Sequence, residues 1–406
     1  MTKQHLLLTR VIISCVCSLA VLTNPASAQT NFTALKSFAG PDGSVPAGSL
    51  VYGNDGAFYG TTAGGGISNA GTVFKLNQDG SGFVTLKSFV GSDGAAPYAG
   101  LVLSTNGCLF GTTYGGGLSN FGTVFKIARD GTGFSVLHSF TGAEDSKNPG
   151  AALIEGSDGA LYGTTPFGNS ATRGTIFKIQ KDGNGYLVLH SFTGNPDGQQ
   201  PQCKLLEGSD GALYGTASFG GPTVRGTVFT LQKDGSGYST IYNFQNSADG
   251  SGPGAGLVEG SNGALYGTTS YGGTDNCGTI FKMNKDGSGH TVLRSFLATG
   301  GDGQRPNGEL IEGADGALYG GTEAGGAGYG TFYTLNKYTG GYSILRSFAG
   351  TGGDANSPRC ALVQLNNDVL YGTTEFGGHS GGGCVFALST VPLPPRVLSM
   401  LEALSG

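Results

Sequence analysis

Residues 256–296 read GLVEGSNGALYGTTSYGGTDNCGTIFKMNKDGSGHTVLRSF, and this stretch decides the fold. Short runs of apolar, aromatic and β-branched residues alternate there with tight-turn signals, including Asn262-Gly263 and Asp286-Gly287. Asn-Gly and Asp-Gly pairs between such runs are strong hairpin signals, because these residues accept a positive φ angle. The stretch therefore predicts four antiparallel strands, which we name a to d: residues 256–259, 264–269, 278–283 and 290–296.

The same unit recurs along most of the chain. Its clearest marker is Tyr-Gly-Thr-Thr and close variants of it, which recur at intervals of 51 to 53 residues. The marker begins in turn at Tyr59, Phe110, Tyr162, Tyr214, Tyr266, Tyr319 and Tyr371. Self-similarity at a fixed period indicates a repeat architecture. Four antiparallel strands in about 50 residues is the size of one blade of a β-propeller.

The order of strands at the two ends predicts how the ring closes. A strand d comes first, at residues 32–38, and the last unit stops after its strand c, near residues 386–389. We expect the N-terminal strand to complete the C-terminal blade, because this pairing removes open sheet edges from the ring. The sequence therefore predicts an all-β protein, a seven-bladed β-propeller with four antiparallel strands per blade, over residues 29–390.

The composition excludes several other classes of protein. Gly accounts for 78 of 406 residues, only 12% of the residues are charged, and Trp is absent. Gly at this level breaks long helices, and it does not recur at every third position as collagen requires. A disordered chain would carry more charge and fewer aromatic residues.

Residues 1–28 are typical of a secretory signal peptide. Lys3 and Arg10 precede an apolar run over residues 11–22, and a small-residue cleavage site follows at residues 26–28. The run is too short to span a bilayer, and no later stretch predicts a membrane segment. A lipoprotein signal using Cys15 or Cys17 is the alternative. We expect a secreted, extracellular or cell-surface protein, with a Pro-rich C-terminal tail at residues 391–406.

Charge and cysteine content limit the partners that we expect. Loss of residues 1–28 changes the formal net charge from −5 to −7, which disfavours nucleic acid and anionic lipid as partners. Five cysteines remain, in an odd and scattered set that is not typical of a disulfide framework and has no metal-site spacing. We interpret them as inert core thiols, expect no membrane insertion after signal cleavage, and expect a monomer.

The repeat unit resembles a known bacterial family. The motifs Gly-Ala-Leu-Tyr-Gly-Thr-Thr at residues 263–269, Gly-Thr-Val-Phe-Lys at 71–75 and Asp-Gly-Ser-Gly at 79–82 resemble the GloVer tandem repeat, named for Gloeobacter and Verrucomicrobia. The resemblance covers about residues 30–390. It implies an exported propeller-like protein, often with a variable C-terminal anchor, and this chain departs from that pattern in showing no clear anchor. The resemblance brings no catalytic residues with it.

The connections between strands define two faces. The a–b and c–d turns lie on one face, the short-turn face, and they are uniformly short. The b–c and d–a loops lie on the other, the loop face, and they are longer and more varied. Variable loops on a rigid scaffold commonly hold binding sites. We therefore expect any ligand on the loop face, near the central channel.

One aspartate recurs in every d–a loop. The series is Asp42, Asp93, Asp145, Asp197, Asp249, Asp302 and Asp354. A ring of carboxylates is one way to bind Ca²⁺. A residue present in every blade more often serves the blade itself, and Asp before a turn caps backbone amides. We therefore expect no metal or other cofactor, with Ca²⁺ at this ring as the alternative.

Function more often appears where one blade differs from the others. At the channel-facing position of strand a, Lys204 and Glu309 are the only charged residues. After the Tyr-Gly-Thr-Thr marker, glutamates appear in two neighbouring blades, at Glu323 and Glu375. Aromatic residues in the same loops add surface, at Tyr114, Phe167, Phe219, Tyr271 and Phe376, and we take Tyr114, Tyr271 and Phe376 as candidate ligand contacts. Carboxylates beside aromatic rings suit a saccharide, but the sequence favours the interpretation that these are solvated loop charges and aromatic residues that only pack.

The sequence favours a non-catalytic extracellular or cell-surface binding module, with a saccharide or a protein as ligand. High internal symmetry and the lack of a convincing catalytic cluster support this interpretation. The alternative is a secreted carbohydrate-active hydrolase or lyase that uses Glu323, Glu375 or Glu309. A purely structural scaffold that presents loops to a partner protein is a third possibility.

Overall fold

The computed structural model describes residues 31–168, 173–245, 247–351, 353–365 and 368–389. Within these ranges the chain forms strands β1 to β31, and it contains no helix long and apolar enough to cross a membrane. The expected signal peptide, residues 1–28, and the expected tail, residues 391–406, lie outside the described residues.

The strands follow one another along the chain and are two to eight residues long. Residues 31–217 contain β1 (Asn31–Ser37), β2 (Val51–Tyr52), β3 (Ala57–Thr62), β4 (Thr72–Asn77), β5 (Val84–Ser88), β6 (Val102–Leu103), β7 (Cys108–Thr113), β8 (Thr123–Ala128), β9 (Ser135–Ser139), β10 (Ile154–Glu155), β11 (Leu161–Thr165), β12 (Thr175–Ile179), β13 (Leu187–Ser191), β14 (Leu206–Glu207) and β15 (Leu213–Ala217). Residues 227–389 contain β16 (Thr227–Leu231), β17 (Ser239–Asn243), β18 (Val258–Glu259), β19 (Leu265–Thr269), β20 (Thr279–Met283), β21 (Thr291–Ser295), β22 (Gly303–Pro306), β23 (Ile311–Glu312), β24 (Leu318–Gly325), β25 (Thr331–Leu335), β26 (Tyr342–Ser347), β27 (Ala355–Asn356), β28 (Val363–Gln364), β29 (Val369–Thr374), β30 (Phe376–Gly377) and β31 (Cys384–Ser389).

These strands build seven antiparallel blades in a ring, which confirms the predicted seven-bladed β-propeller. Blades 1 to 5 are β2–β5, β6–β9, β10–β13, β14–β17 and β18–β21. Blade 6 is β23–β26 with β22 as a fifth strand, and blade 7 is β28, β29, β31 and β1. The pair β27 and β30 forms a small separate sheet within the loops of blade 7.

The N-terminal strand closes the ring, as predicted. Strand β1 lies antiparallel to β31, with Asn31 opposite Ser389 and Ser37 opposite Cys384. The outer strand of blade 7 therefore comes from the N-terminus and its three inner strands from the C-terminus. This pairing leaves neither end of the repeat array as an open edge.

The Tyr-Gly-Thr-Thr marker recurs because each residue has a structural task. The marker glycine of blade 5, Gly267, lies opposite Phe281, and an added Cβ would come within 2.6 Å of that ring. The first marker threonine joins neighbouring blades: Thr61 in blade 1 donates a hydrogen bond to the Ala99 carbonyl of blade 2 at 2.8 Å. The second threonine pairs within the blade, as Thr62 does with Thr72 at 2.7 Å.

The apolar core lies between blades rather than inside one sheet. One cluster combines Tyr162 and Ile176 of blade 3 with Leu213 and Phe229 of blade 4. In blade 3, strand b is buried along its length, whereas the outer strand d is half exposed. Each blade therefore buries its two faces only by packing against its neighbours, which is typical of a ring of repeats.

Two features differ from the expected strands. Strand a pairs with strand b over only two residues in each blade, so the expected strand at residues 256–259 is reduced to β18. The preceding residues line the channel instead. In blades 6 and 7 the d–a loops also pair with strand b or the b–c loop, and these contacts form β22, β27 and β30.

Candidate functional site

Each of the seven loop aspartates forms hydrogen bonds within its own loop and with the strand d that precedes it. Asp93 accepts a hydrogen bond from the Val90 amide at 2.9 Å and forms an ion pair with Lys87 of strand d. The other six also accept hydrogen bonds from a backbone amide of their loop and from a strand-d side chain, which is Lys36, His138, His190, Tyr242, Arg294 or Arg346. Among the described residues, no group of three or more His, Cys, Asp and Glu could hold a metal ion.

An ion pair joins two side chains that line the central channel. Strand-a residues of all seven blades line this channel, whose volume is 870 Å³. Lys204 of blade 4 lies 3.3 Å from the Glu309 carboxylate of blade 6. The intervening residue of blade 5 is Gly256, where an added Cβ would lie 2.5 Å from that carboxylate. The two predicted channel charges therefore bind each other, and the missing side chain at Gly256 makes room for them.

A guanidinium group holds the two loop glutamates. Arg359, in the d–a loop of blade 7, lies 2.5 Å from Glu323 of blade 6 and 3.4 Å from Glu375 of blade 7. Glu375 is buried, with its side chain 9% exposed. Burial raises the pKa of Glu375, the nearby Glu323 carboxylate raises it further, and Arg359 opposes both effects. The structure thus brings together two glutamates that the sequence places on neighbouring blades.

Beside this cluster lies a cleft on the loop face. It has a volume of 310 Å³ and spans the loops of blades 4 to 7. Its lining side chains are Gln202, Ser218, Phe219, Ser270, Tyr271, Arg305, Asn307, Glu323 and Arg359. Phe219 and Tyr271 expose 40% and 43% of their surface, and the Arg305 guanidinium lies 6.0 Å from the centre of the Tyr271 ring. The cleft therefore combines exposed aromatic rings with amide, hydroxyl and charged groups.

The structure places the sequence-predicted residues in several different parts of the protein. Glu323 and Tyr271 line the cleft, whereas Glu375 is buried beneath Arg359 and Lys204 pairs with Glu309 in the channel. Two aromatic candidates lie elsewhere on the loop face: Tyr114 packs against Tyr98 in blade 2 at 5.7 Å, and Phe376 is 45% exposed in blade 7.

The sequence reasoning missed Arg359, Arg305, Asn307 and Gln202. A signal for Arg359 was present at the position after the loop proline, where it is the only charged residue. That series is Ala47, Tyr98, Gly150, Gln202, Gly254, Asn307 and Arg359. The same comparison at the position before the proline singles out Arg305. Comparing the blades at every loop position would therefore have found both arginines.

On the short-turn face, a repeated latch joins neighbouring blades. Glu155 of blade 3 accepts hydrogen bonds from the Thr105 amide and hydroxyl of blade 2, at 2.9 and 2.7 Å, and forms an ion pair with Lys181. The latch recurs as Glu207 with Ser157 and Lys233, Glu259 with Ser209 and Lys285, and Glu312 with Ser261 and Lys337. Burial raises the pKa of Glu155, but hydrogen bonds from Lys181 and Thr105 outweigh it and lower the pKa to about 2.

Comparison with protein families gives one match that covers most of the chain. The model of the Gloeobacter/Verrucomicrobia repeat matches residues 21–171 and 148–386. No curated protein matches the chain in sequence.

Solved structures share the fold at low sequence identity. An oligogalacturonate lyase from Vibrio parahaemolyticus is 14% identical over 92% of this chain and 96% of its own, with a TM-score of 0.56. An oligogalacturonate lyase in complex with manganese has the same identity and coverage and a TM-score of 0.59. The extracellular domain of a putative hybrid two-component system from B. thetaiotaomicron is 12% identical over 89% of this chain and 39% of its own, with a TM-score of 0.57. At these identities the likeness concerns the fold alone.

Proposed function

This chain belongs to the Gloeobacter/Verrucomicrobia repeat family, and from that premise we propose that it acts as an exported, non-catalytic binding module. Its ligand would occupy the cleft on the loop face. The observation that carries this proposal is that the cleft forms where the loops of blades 4 to 7 depart from the repeat. The repeated residues build the blades, so the residues that differ are free to serve a ligand.

The lining favours a saccharide as the ligand. A sugar ring presents an apolar face to an aromatic side chain and hydroxyl groups to amides and hydroxyls. Phe219 and Tyr271 supply exposed rings, and Gln202, Asn307 and Ser270 supply hydrogen-bonding groups within the same cleft. A cleft of 310 Å³ lies at the lower end of the usual size for small-ligand sites.

The N-terminal pattern supports action outside the cytoplasm. A basic start, an apolar run over residues 11–22 and the small residues 26–28 together favour export and cleavage before Gln29. Mass spectrometry of the protein recovered from the cell exterior tests this point, and a mature chain that keeps residues 1–28 would contradict it.

The binding proposal is tested on purified residues 29–406 with a panel of soluble oligosaccharides. A ligand that binds only the folded state raises the midpoint of thermal unfolding. We expect at least one sugar class to do so, and Tyr271→Ala to weaken its affinity about tenfold, which corresponds to about 1.4 kcal/mol. Phe376→Ala is the matched control, because Phe376 is equally exposed on the same face but outside the cleft. Equal losses in both variants, or a panel without any shift, would refute the proposal.

A carbohydrate-active hydrolase or lyase is the second candidate function. It is favoured by two carboxyl groups in different environments, since Glu323 lines the cleft and Glu375 is buried with a raised pKa. Hydrolases often separate the roles of two acidic residues in this way. Release of new reducing ends or unsaturated products from a bound sugar, abolished in Glu323→Gln without loss of binding, would establish catalysis and overturn the non-catalytic assignment.

A further inference from the structure

Most basic side chains of this acidic protein are engaged in ion pairs, and the exceptions are not randomly placed. Among the described residues, the lysines and arginines without a carboxylate at ion-pair distance are Lys126, Lys147, Arg173, Arg225, Lys282 and Arg305. Lys126 and Lys282 lie on strand c of blades 2 and 5. The other four, which we call the loop cations, lie on the loop face: Lys147, Arg173 and Arg225 between strands, and Arg305 on β22.

The four loop cations occupy successive boundaries between blades. At each boundary the residue before the loop proline donates its amide to the end of the previous b–c loop. These contacts place Arg173 between blades 3 and 4, Arg225 between blades 4 and 5, and Arg305 between blades 5 and 6. Lys147 lies over the Phe121 ring, at the boundary of blades 2 and 3. At the boundaries on either side of blade 1, the equivalent residues are uncharged.

Exposed aromatic rings alternate with the arginines along this arc. Phe219 belongs to the b–c loop of blade 4, between the boundaries of Arg173 and Arg225. Tyr271 holds the same position in blade 5, between the boundaries of Arg225 and Arg305. A ring followed by a guanidinium group, repeated from blade to blade, matches a ligand that itself repeats a ring and a charge.

Most of the acidic groups near these cations already have partners within the protein. Glu323 and Glu375 share one guanidinium group, that of Arg359. Asp145, Asp197 and Asp249 form hydrogen bonds with the preceding strand d, to His138, His190 and Tyr242 rather than to a lysine or arginine. Asp275 accepts a hydrogen bond from the Ala298 amide, and Glu144 is exposed and forms no ion pair with another described residue. Of the two arginines that line the cleft, Arg305 is the one with no carboxylate at ion-pair distance in the part of the chain that the structure describes.

We propose that the ligand of the loop face is an acidic oligosaccharide that runs along blades 4 to 6. This inference rests on the proposed binding function. Its carboxylates would pair with Arg305, Arg225 and Arg173, and its sugar rings would stack on Tyr271 and Phe219. Guanidinium groups suit this role because they bind carboxylates through two parallel hydrogen bonds. The net charge of −7 after loss of residues 1–28 favours a short acidic oligosaccharide over a nucleic acid as the ligand. A long phosphate backbone would extend beyond this arc and approach acidic parts of the surface.

Variants can be chosen from the repeat itself, so that each new residue already occupies the equivalent position in another blade. Arg305→Gln copies Gln200 of blade 4, and Arg225→Ala copies Ala70 of blade 1. The matched control is Lys282→Thr, which copies Thr230 and removes from strand c a cation that has no ion pair among the described residues. All three remove one positive charge, so an effect of net charge alone would appear in the control as well.

The experiment measures binding of purified residues 29–406 to three probes by calorimetry at low ionic strength. The probes are a short oligogalacturonate, the same oligosaccharide with methyl-esterified carboxyl groups, and a single-stranded oligothymidylate. We expect the acid form to bind at least tenfold more tightly than the ester. Arg305→Gln should remove most of that preference, Arg225→Ala part of it, and Lys282→Thr none.

The outcomes separate this inference from the function on which it rests. Equal binding of the acid and the ester, with loss in Tyr271→Ala, would keep the saccharide-binding function and overturn the acidic ligand. Absence of binding to the acid form, or an acid preference that survives Arg305→Gln, also overturns the inference. Equal or tighter binding of oligothymidylate with the same dependence on Arg305 would assign the arc to nucleic acid instead.

Discussion

Arg359 illustrates how a single side chain organises the loop face. Its guanidinium group lies between a carboxylate that lines the cleft, Glu323, and one that is buried, Glu375. A buried carboxylate without a cation is costly, because the charged form loses its hydration. Arg359 therefore stabilises the loops of blades 6 and 7 and leaves the position of Glu323 fixed beside the ligand cleft.

Replacing this arginine should cost stability in a pH-dependent way. The pKa of Glu375 is already raised in the fold, so its carboxylate destabilises the protein increasingly as pH rises from about 4.5 through the folded pKa. We expect Arg359→Gln, which copies Gln202, to lower the free energy of unfolding by about 1–2 kcal/mol at pH 7. The loss should shrink at acid pH and be largely restored in Arg359→Gln/Glu375→Gln.

Chemical denaturation of these variants at several pH values checks this expectation, with Arg305→Gln as the control. Arg305 is exposed and forms no ion pair with any residue that the structure describes, so its loss should leave stability unchanged. A loss in Arg359→Gln that is independent of pH and is not restored by the second substitution would show that Arg359 acts through packing alone.

The residues of the candidate site were only partly predictable from the sequence. The glutamates were visible because each interrupts an otherwise regular series, at Glu323 and Glu375. Their common partner, Arg359, follows a loop proline and lies 36 residues after Glu323. No local sequence pattern connects Arg359 with Glu323. The contact arises because adjacent blades place a d–a loop beside the previous b–c loop, which only the closed ring shows.

At the scale of the strands, the latches on the short-turn face explain how neighbouring blades keep their alignment. Strand a pairs with strand b over only two residues, so the hydrogen bonds of this pairing alone do little to hold the blades in alignment. The carboxylate at the end of this strand adds bonds to the preceding blade and an ion pair within its own. Blade 7 carries Gln364 at this position, which accepts a hydrogen bond from the Ala314 amide at 2.9 Å.

The latch predicts an acid-sensitive contribution to stability. The folded pKa of Glu155 is about 2 against an ordinary value of 4.5, so its contribution is present above about pH 4.5 and is lost as pH falls toward 2. We expect Glu155→Gln, the residue found at position 364, to lower stability by about 1 kcal/mol at pH 7. Between about pH 5 and 2, stability should change less with pH in this variant than in the native chain.

Urea unfolding across this pH range measures both effects. Glu144→Gln serves as the control, because it makes the same change of charge on an exposed loop that leads into the same blade. If both variants respond alike to pH, the latch contributes nothing beyond net charge.

The strand pattern was predicted well because hairpin turns and alternating strands are local signals. Gly263 and Gly287, for example, have φ angles of 76° and 86°, as the Asn-Gly and Asp-Gly turns require. The shortness of strand a and the extra strands β22, β27 and β30 were not predicted. They depend on contacts with the channel and between loops, which the sequence of one unit does not specify.

At the scale of the whole molecule, closure by β1 means that the chain ends could be moved to another c–d turn and every blade would still have its strands. Phe32 of β1 packs against Phe386 of β31 and Phe348 of blade 6, at 5.3 and 5.6 Å between ring centres. These contacts join the closing strand to both its own blade and the neighbouring one. We therefore expect the ring to require this strand but not its native place in the sequence.

A circular permutant tests this symmetry. A chain in which Ser389 is joined to Asn31 by the turn sequence of residues 78–81, with new ends in the c–d turn of blade 2, should fold with a similar thermal midpoint. Deletion of residues 31–37 should instead expose the edge of β31 and broaden or abolish cooperative unfolding. Circular dichroism on heating distinguishes the two, and a permutant that fails to fold would show that closure requires the native chain order.

Closure also places the first and last described residues of the chain on the same face of the ring. Asn31 and Ser389 lie side by side at the short-turn end of blade 7, opposite the loop face. A segment joined directly to Asn31 or to Ser389 would therefore begin on the face opposite the cleft.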